Sequence, residues 1–471
     1  MKDLRQYLEE LSKDHPEEVK REVDPKFEIT TLLYKLEERG LFPLTIFENV
    51  KDLKGKLSGI RVISNVFATR GKIARALDLP RDQWKMELTA RYQQRRDNPL
   101  KPVIVIPQEA PVKERVLLGD DANLLDLPIV THHEMDAGPY LTMAVVAKDP
   151  DTGVYNSSFQ RMMVVGPRDT GISIAPRHLW DYYVRYERRN QPMPIAVVLG
   201  HHPAFCLGTM ASIPIEADEY EVIGGLLHEP LRLTPSATWG EELLIPADAE
   251  IVLEGEVLPK IRRAEAPFGE FTGYYGAQRL NPVVRVTAIN MRHDPILQTI
   301  FIGHQDGDYL IAVPMEGDVF NAIRPYVPTV KAVYIPPSGK TYNCYISIEK
   351  RFEGAGKLAA VAAIPVHDFI KHVFVVDDDI DIYREEEVLF AFATRCQGDE
   401  DIDMVRGIRG NILDPSATRS PLWTNIIIDA TKPINRPFEL RINVPRETYD
   451  RIDLNEFIGE EELAKLTGRR G

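Results

Sequence analysis

Cysteine is nearly absent: three residues, Cys206, Cys344 and Cys396, stand far apart in a chain of 471. That spacing builds neither a disulfide framework nor a cysteine metal cluster, and it suits a reducing compartment. Long apolar runs are missing as well, none reaching the ~18 residues of a membrane-spanning helix. The N-terminal stretch MKDLRQYLEELSKDHPEEV is charged and helical in pattern, without the apolar centre of a secretory signal. A cytoplasmic protein with no membrane partner is therefore expected. Basic excess is also lacking. Lys and Arg number 57 against 71 Asp and Glu, a formal charge of −14, which argues against nucleic acid or anionic lipid as a bulk partner. The short stretches RRDNPLK (95–101) and RYERRN (185–190) are read as solvated helix faces. No internal repeat or low-complexity segment is visible.

What is present is an ordinary globular composition, 44% hydrophobic and 27% charged, over a length that exceeds one core and implies two or three domains. Leu4, Leu8 and Leu11 recur at helical spacing, as do apolar residues from Ile29 to Leu36, before Gly40. Strand-like LTIF (44–47) and RVISNVFA (61–68) follow, then a helix near Gly71. This α/β opening, residues 1–114, closes on the Pro-rich KPVIVIPQEAP. From 115 to 310 strands dominate: 141–149, 161–166, 194–200, 250–257 and 283–290, with one helical stretch at EYEVIGGLL (219–227). Many strands with few helices suggest a barrel-like sheet. From 311 to 471 the α/β pattern returns. Strands at 330–336, 345–350 and 372–382 alternate with helices, which a buried parallel sheet explains most simply. FIGEEELAKLTG reads as a final helix reaching outward.

The stretch RRAEAPFGEFTGYYG (262–276) carries two carboxylates, Glu265 and Glu270, around a Pro-Phe-Gly turn among Phe268, Phe271, Tyr274 and Tyr275. A carboxylate against aromatic rings loses hydration, which moves it toward the range useful for proton transfer. The alternative is a pair of solvated glutamates on a glycine-rich loop. In YNSSFQRMMVVG (155–166), Asn156, Ser157, Ser158 and Arg161 cluster on one apolar run. Arg161 interrupts that run, so it is expected to be buried and paired, either in a structural salt bridge or with an anionic ligand. Arg177 and His178 follow. His178, Asn156 and an acid from Glu216, Asp218, Glu219 or Glu221 would make an oxygen/nitrogen site suited to Mn²⁺ or Mg²⁺ and not to structural zinc.

Other features carry less. His132-His133 and His201-His202 lack the HExxH frame of a metalloprotease. Gly354, Gly356 and Lys357 miss the spacing of a nucleotide P-loop. Asp377-Asp378-Asp379 at a strand end reads as turn chemistry. His304 and Arg324 approach a pocket in one reading and are exposed loop or helix residues in the preferred one.

Taken together these motifs resemble the UbiD family of reversible decarboxylases, which use prenylated flavin mononucleotide. DLRQYLEEL, NSSFQR, PRHL, DEYEVIGGL, EAPFGEFTGYY and KHVFVVDDDIDI carry the resemblance through nearly the whole chain. It implies a split β-barrel flavin-binding domain (115–310) between an α/β N-terminal region and an α/β C-terminal domain that forms a dimer or larger homo-oligomer, up to a hexamer. It implies that Glu265, Arg161 and Glu270 form a catalytic Glu–Arg–Glu network, with Glu270 the acid/base. It further implies metal ligands Asn156, His178 and Glu219, with Glu221 a rival, and K⁺ held near the Ala211-Ser212 backbone. Ser158, Arg177, Lys371 and Thr142 would contact the cofactor, which a flavin prenyltransferase supplies. The substrate implied is an aromatic, heteroaromatic or α,β-unsaturated carboxylic acid, released as CO₂ and a protonated product. A carboxylase, or the decarboxylating subunit of a larger complex, is the alternative; a non-catalytic flavin- or metal-binding protein is a further one.

Overall fold

Residues 2–11, 17–417, 422–459 and 462–463 are described by the structure, a computed structural model. The helix Leu4–Leu11 buries Leu4, Tyr7 and Leu11, one stripe at helical spacing. The helix Glu28–Glu37 is followed by Gly40 in the left-handed region, at φ 69°. Thr69 caps the helix Arg70–Ala76 by accepting from the Lys72 N–H at 3.3 Å. These helices attend a four-stranded sheet in which Glu17–Val23, Thr45–Val50 and Arg61–Ser64 are joined by Ile296–Gln298 from far along the chain. The strand read over 61–68 thus stops at Ser64.

The centre is a closed ring of six antiparallel strands. Ile251–Glu265 pairs with Met193–Val198, then follow Tyr140–Lys148, Tyr155–Val164, Asp169–Ser173 and Arg279–Met291, which pairs back onto Ile251–Glu265. Closure needs bending, and the register between the two long strands shifts after Glu254 and again between Val257 and Arg262. Gly255 sits at the first shift, where an added methyl would come within 2.9 Å of the Arg285 carbonyl. The helical stretch expected at 219–227 is the helix Glu219–Leu227, the helix face read over RYERRN is the end of His178–Arg188, and a third helix, Pro203–Thr209, lies between them.

The C-terminal sheet is mixed, correcting the expectation of a parallel one. Its order is Val330–Tyr334, Asn343–Ile348, His372–Asp377, Leu422–Ala430, Ile402–Arg409. The three middle strands are parallel and both edges antiparallel. The connection 335–342 is too short for a parallel crossover, so a hairpin results. Asp377 and Asp379 at the strand end pair with Arg395.

RRDNPLK is not a solvated face. Arg95 is buried, donating to the Leu226 carbonyl at 3.1 Å, and Arg96 pairs with Asp318. In RYERRN, Arg185 is held by Asp149, Asp151 and Asp181. Of the expected final helix, residues 457–458 belong to the short helix Leu454–Ile458, and most of FIGEEELAKLTG lies outside the described residues. Among the described residues no helix is long and apolar enough to cross a membrane.

Candidate active site

The strand Tyr155–Val164 carries both candidate clusters. At its C-terminal end Arg161 lies in register with Thr142 on one side and Ser173 on the other. Its guanidinium meets Glu265 fork to fork, Nε to Oε1 at 3.0 Å and Nη2 to Oε2 at 2.9 Å. Glu265 is wholly buried and also accepts from Asn281 Nδ2 at 2.8 Å, so its charge is matched by three donors. The remaining nitrogen, Nη1, contacts Glu270 Oε1. Arg161 also stands 5.5 Å from the Phe268 ring centre.

Glu270 sits on a turn tied at both ends. Its N–H donates to the Tyr274 carbonyl at 2.9 Å, and its carbonyl accepts from the Gly273 N–H at 3.0 Å. Just before it, the Gly269 N–H donates to Asp136 Oδ1 at 2.8 Å. Tyr140 braces the same segment, its hydroxyl accepting from the Ala266 N–H and its ring 4.4 Å from that of Phe268. An added methyl at Gly276 would lie 2.8 Å from Glu270 Oε1 and 3.1 Å from Arg161 Nη1. The turn therefore closes tightly over the pair.

Back along the strand runs a polar ladder that starts at Gln160, next to Arg161, and reaches Asn156 about 16 Å away at ~3.3 Å per residue. Gln160 Nε2 donates to Ser158 Oγ (3.0 Å), Ser158 Oγ to Asn156 Oδ1 (3.2 Å), and Asn156 Nδ2 to Glu219 Oε1 (2.8 Å). His178 Nδ1 lies 3.5 Å from the same Glu219 oxygen. Asp218 sets this geometry: it caps the helix Glu219–Leu227 through the Tyr220 N–H and accepts from the Tyr155 N–H on the strand. Burial raises the pKa of Glu219, and its bonds to His178 and Asn156 oppose that rise. Glu219 Oε2 is buried with no partner. A buried acceptor left unpaired is costly, and Asn, His and Glu side chains are of the donor type that suits a divalent cation. Among the described residues no group of three His, Cys, Asp or Glu gathers for a metal, so an amide must complete any such set. Arg177 is the N-cap of the helix that His178 opens, and it gives that end no side-chain cap. The first-turn N–H groups can donate to an anion such as a phosphate. The residues present therefore fit a cation beside a phosphate.

The remaining candidates are placed as follows. Glu221, on the same helix as Glu219, lines a separate groove of about 330 Å³ with Pro99, Glu216 and Asp218. Thr142 Oγ1 donates to the Ile300 carbonyl at 3.5 Å. Arg177 Nη2 donates to Asp368 at 2.6 Å, while Lys371 donates to Asp414 and Ser416 at 2.7 and 2.6 Å. His304 is not an exposed loop residue. It bonds Glu37 at 2.7 Å, and its ring stacks 3.7 Å from that of Phe301. Arg324 is exposed at the end of its helix. Asn281, Gln160, Asp136 and Tyr140 were not singled out by sequence. They are single polar groups in strands and loops, with no spacing signal to mark them.

Three family models match in order: the N-terminal domain of 3-octaprenyl-4-hydroxybenzoate carboxy-lyase over residues 11–91, its Rift-related domain over 103–305, and its C-terminal domain over 308–430. The chain is 36% identical to an anhydromevalonate phosphate decarboxylase of Methanothermobacter thermautotrophicus, over 92% of this chain and 97% of that one. It is 32% identical to a phenolic acid decarboxylase of Sedimentibacter hydroxybenzoicus, over 92% of each. Among solved structures it is similar to the UbiD-class enzyme HmfF of Pelotomaculum thermopropionicum in complex with FMN. That likeness has a TM-score of 0.89 and 39% identity, over 97% of this chain and 100% of that one. An evolved dimeric form of HmfF with prFMN superposes at a TM-score of 0.86, with 37% identity over the same shares.

Proposed function

The chain belongs to the UbiD family of carboxy-lyases, and from that premise we propose that it is a decarboxylase of a flat aromatic, heteroaromatic or α,β-unsaturated acid that uses prenylated FMN. The observation that carries the reading is Arg161 held between Glu265 and Glu270. Loss of CO₂ from an sp² carbon leaves an electron pair with nowhere to go, and the prenylated flavin, when bound, supplies the electron sink. The protein's share is orientation and proton transfer. Glu265 fixes the guanidinium plane, so that Arg161 presents a preset donor to the substrate carboxylate. That carboxylate competes with Glu270 for Nη1, and three carboxylates cannot all be neutralised by one cation. The arrangement in which Glu270 carries a proton is then favoured, and Glu270 delivers it to the carbon that loses CO₂.

Asn156, His178 and Glu219 would hold Mn²⁺ or Mg²⁺ against the cofactor phosphate, with K⁺ nearby at Ala211-Ser212. Ser158, Arg177, Lys371 and Thr142 would complete the cofactor site. The unpaired Glu219 Oε2 and the free helix end at His178 support that assignment. We further propose a cytoplasmic homo-oligomer built on the C-terminal part. Leu440 and Ile442 there are 95% and 96% exposed, and Phe457 is 68% exposed; a second copy would cover them.

The test is expression with and without a flavin prenyltransferase, followed by anaerobic assay of CO₂ release on phenolic, furanic, cinnamic and alkenyl acids. Activity is expected only after co-expression, on at least one of these classes. Turnover by cofactor-free protein would overturn the reading.

A further inference from the structure

Glu270 is braced from behind by a part of the chain that contributes nothing to its own loop. Lys340 lies in the hairpin connection of the C-terminal sheet. Its Nζ donates to the Gly303 carbonyl at 2.9 Å and to Asp308 Oδ2 at 2.8 Å. Gly303 is left-handed, at φ 78°, and abuts the catalytic turn. A methyl added there would come 3.0 Å from the Glu270 carbonyl oxygen and 3.9 Å from Gly273 Cα. The next residue of the turn, Phe271, packs on Phe369 at 4.7 Å and edge-on to Tyr342 at 6.0 Å, both again from the C-terminal part. Lys340 thus pulls on the segment that fills the space behind Glu270.

Two features show that the lysine is held there against cost. Lys340 and Thr341 are consecutive residues in the left-handed region, at φ 48° and 71°, a conformation that disfavours side chains. Asp308, in the first turn of the helix Gln305–Ile323, is 1% exposed, and its Oδ1 has no partner. Burial lifts the pKa of Asp308 to about 7, and Lys340 is the group that opposes that rise most. The ammonium, the buried carboxylate and the Gly303 carbonyl form one unit, and removing the ammonium leaves the other two unbalanced.

We infer that Lys340 is a positioning residue for Glu270, acting through Gly303 to fix the turn Glu270–Gly273. The inference rests on the proposed role of Glu270. A plain structural brace would lower stability throughout; a positioning residue loosens one turn and slows one step. The variants are Lys340→Met, which keeps the stem, Lys340→Arg, which keeps the charge, and Lys340→Gln as a second neutral form should the methionine variant not accumulate.

The first readout is amide hydrogen exchange in cofactor-free protein. Exchange across residues 268–276 is expected to quicken by about 10-fold in the neutral variants, with other segments unchanged, and to return in Lys340→Arg. The second readout is the holoenzyme. There kcat and the exchange of the product hydrogen with D₂O are expected to fall together by about 10-fold or more, with KM within about 3-fold. Unchanged exchange across 268–276 overturns the inference, as does loosened exchange with unchanged kcat. If the wild type releases CO₂ from none of the acids, the functional reading falls, while the amide exchange still decides whether Lys340 sets the turn.

Discussion

Arg161 and Glu265 are joined by two parallel bonds, 3.0 and 2.9 Å long, and the carboxylate at their far side is closed off by Asn281. Glu265 thus accepts three hydrogen bonds, two from Arg161 and one from Asn281. Glu265→Gln replaces one of those acceptors by an NH₂ group, which must then oppose a nitrogen of Arg161 or Asn281. Breaking a buried pair from one side costs on the order of 3 kcal/mol. We expect this variant to lose thermal stability and, at temperatures where it stays folded, to lose both kcat and substrate affinity. Thermal melting and steady-state kinetics check it; a Glu265→Gln enzyme with wild-type melting and KM would contradict the role given to the fork.

Glu219 gives the second expectation. Its Oε1 is shared by Asn156 and His178, while Oε2 is buried and unpaired. A carboxylate arranged in this way weakens the metal-free fold and strengthens the metal-bound one. Glu219→Gln should keep the Asn156 bond and leave the melting temperature of metal-free protein within a few degrees, about 1 kcal/mol, while stripping bound metal and lowering flavin retention. Glu221→Ala, on the groove side of the helix, should keep both. Metal analysis of the purified variants checks the pair, and the opposite pattern would move the ligand to Glu221.

How much of this was readable in the sequence depends on distance along the chain. The two glutamates of 262–276, and Arg161 as an interruption of an apolar run, declare themselves locally, and all three meet. The helix Glu219–Leu227 is legible at its observed limits, and in the structure Asp218 caps its start. Of the helix His178–Arg188 only the end is legible, as the helix face RYERRN; its start is not, although Leu179, Tyr182 and Tyr183 mark a buried stripe at helical spacing. Pro203–Thr209 was missed for a different reason: every residue is buried, so there is no polar face to give a period. Ring closure between Ile251–Glu265 and Met193–Val198 is a pairing between segments more than fifty residues apart, and no local signal records it. His304 was misread because its partner Glu37 lies 267 residues away.

Acid sensitivity follows from buried histidines. His132 and His201 are held neutral by burial, their pKa values pushed down to about 3, and burial lowers His367 to about 4. In the unfolded chain each takes up a proton near pH 6.5. Between pH 6.5 and 3 the unfolded state therefore binds more protons, and stability falls as pH falls. Asp248 and Asp306, raised to about 6, and Asp308, raised to about 7, act in the other sense, adding stability below pH 4 that is lost as pH rises through 6 to 7. Taken together the histidine displacements are the larger, although Asp308 moves further than His367, and His202 is lowered as well. We expect the unfolding free energy from urea titrations to rise with pH from 4.5 to 6.5, each displaced unit contributing at most about 1.4 kcal/mol. A flat or falling profile would show that the buried aspartates dominate.

The last expectation isolates the contact between Arg161 and Glu270 from the charge of either. Gly276 is outside the left-handed region, so its backbone tolerates alanine. The new methyl would nonetheless lie 2.8 Å from Glu270 Oε1 and 3.1 Å from Arg161 Nη1, closer than atoms in contact approach, and the flexible end of the glutamate is what must give. Gly276→Ala should therefore stay folded, bind flavin and metal as before, and lose turnover, because a displacement near 1 Å at a reacting group costs on the order of 10²-fold. Gly166→Ala, which meets nothing within 4 Å, is the control. Glu270→Gln should lose product-hydrogen exchange with D₂O by roughly 10²–10⁴-fold, since its amide fills the same space without an acidic proton. If Glu270 is the proton carrier, Gly276→Ala lowers that exchange in proportion to kcat. If Gly276→Ala slows decarboxylation while exchange runs at the wild-type rate, the proton travels by another group, and Tyr275 and His304 become the residues to substitute next.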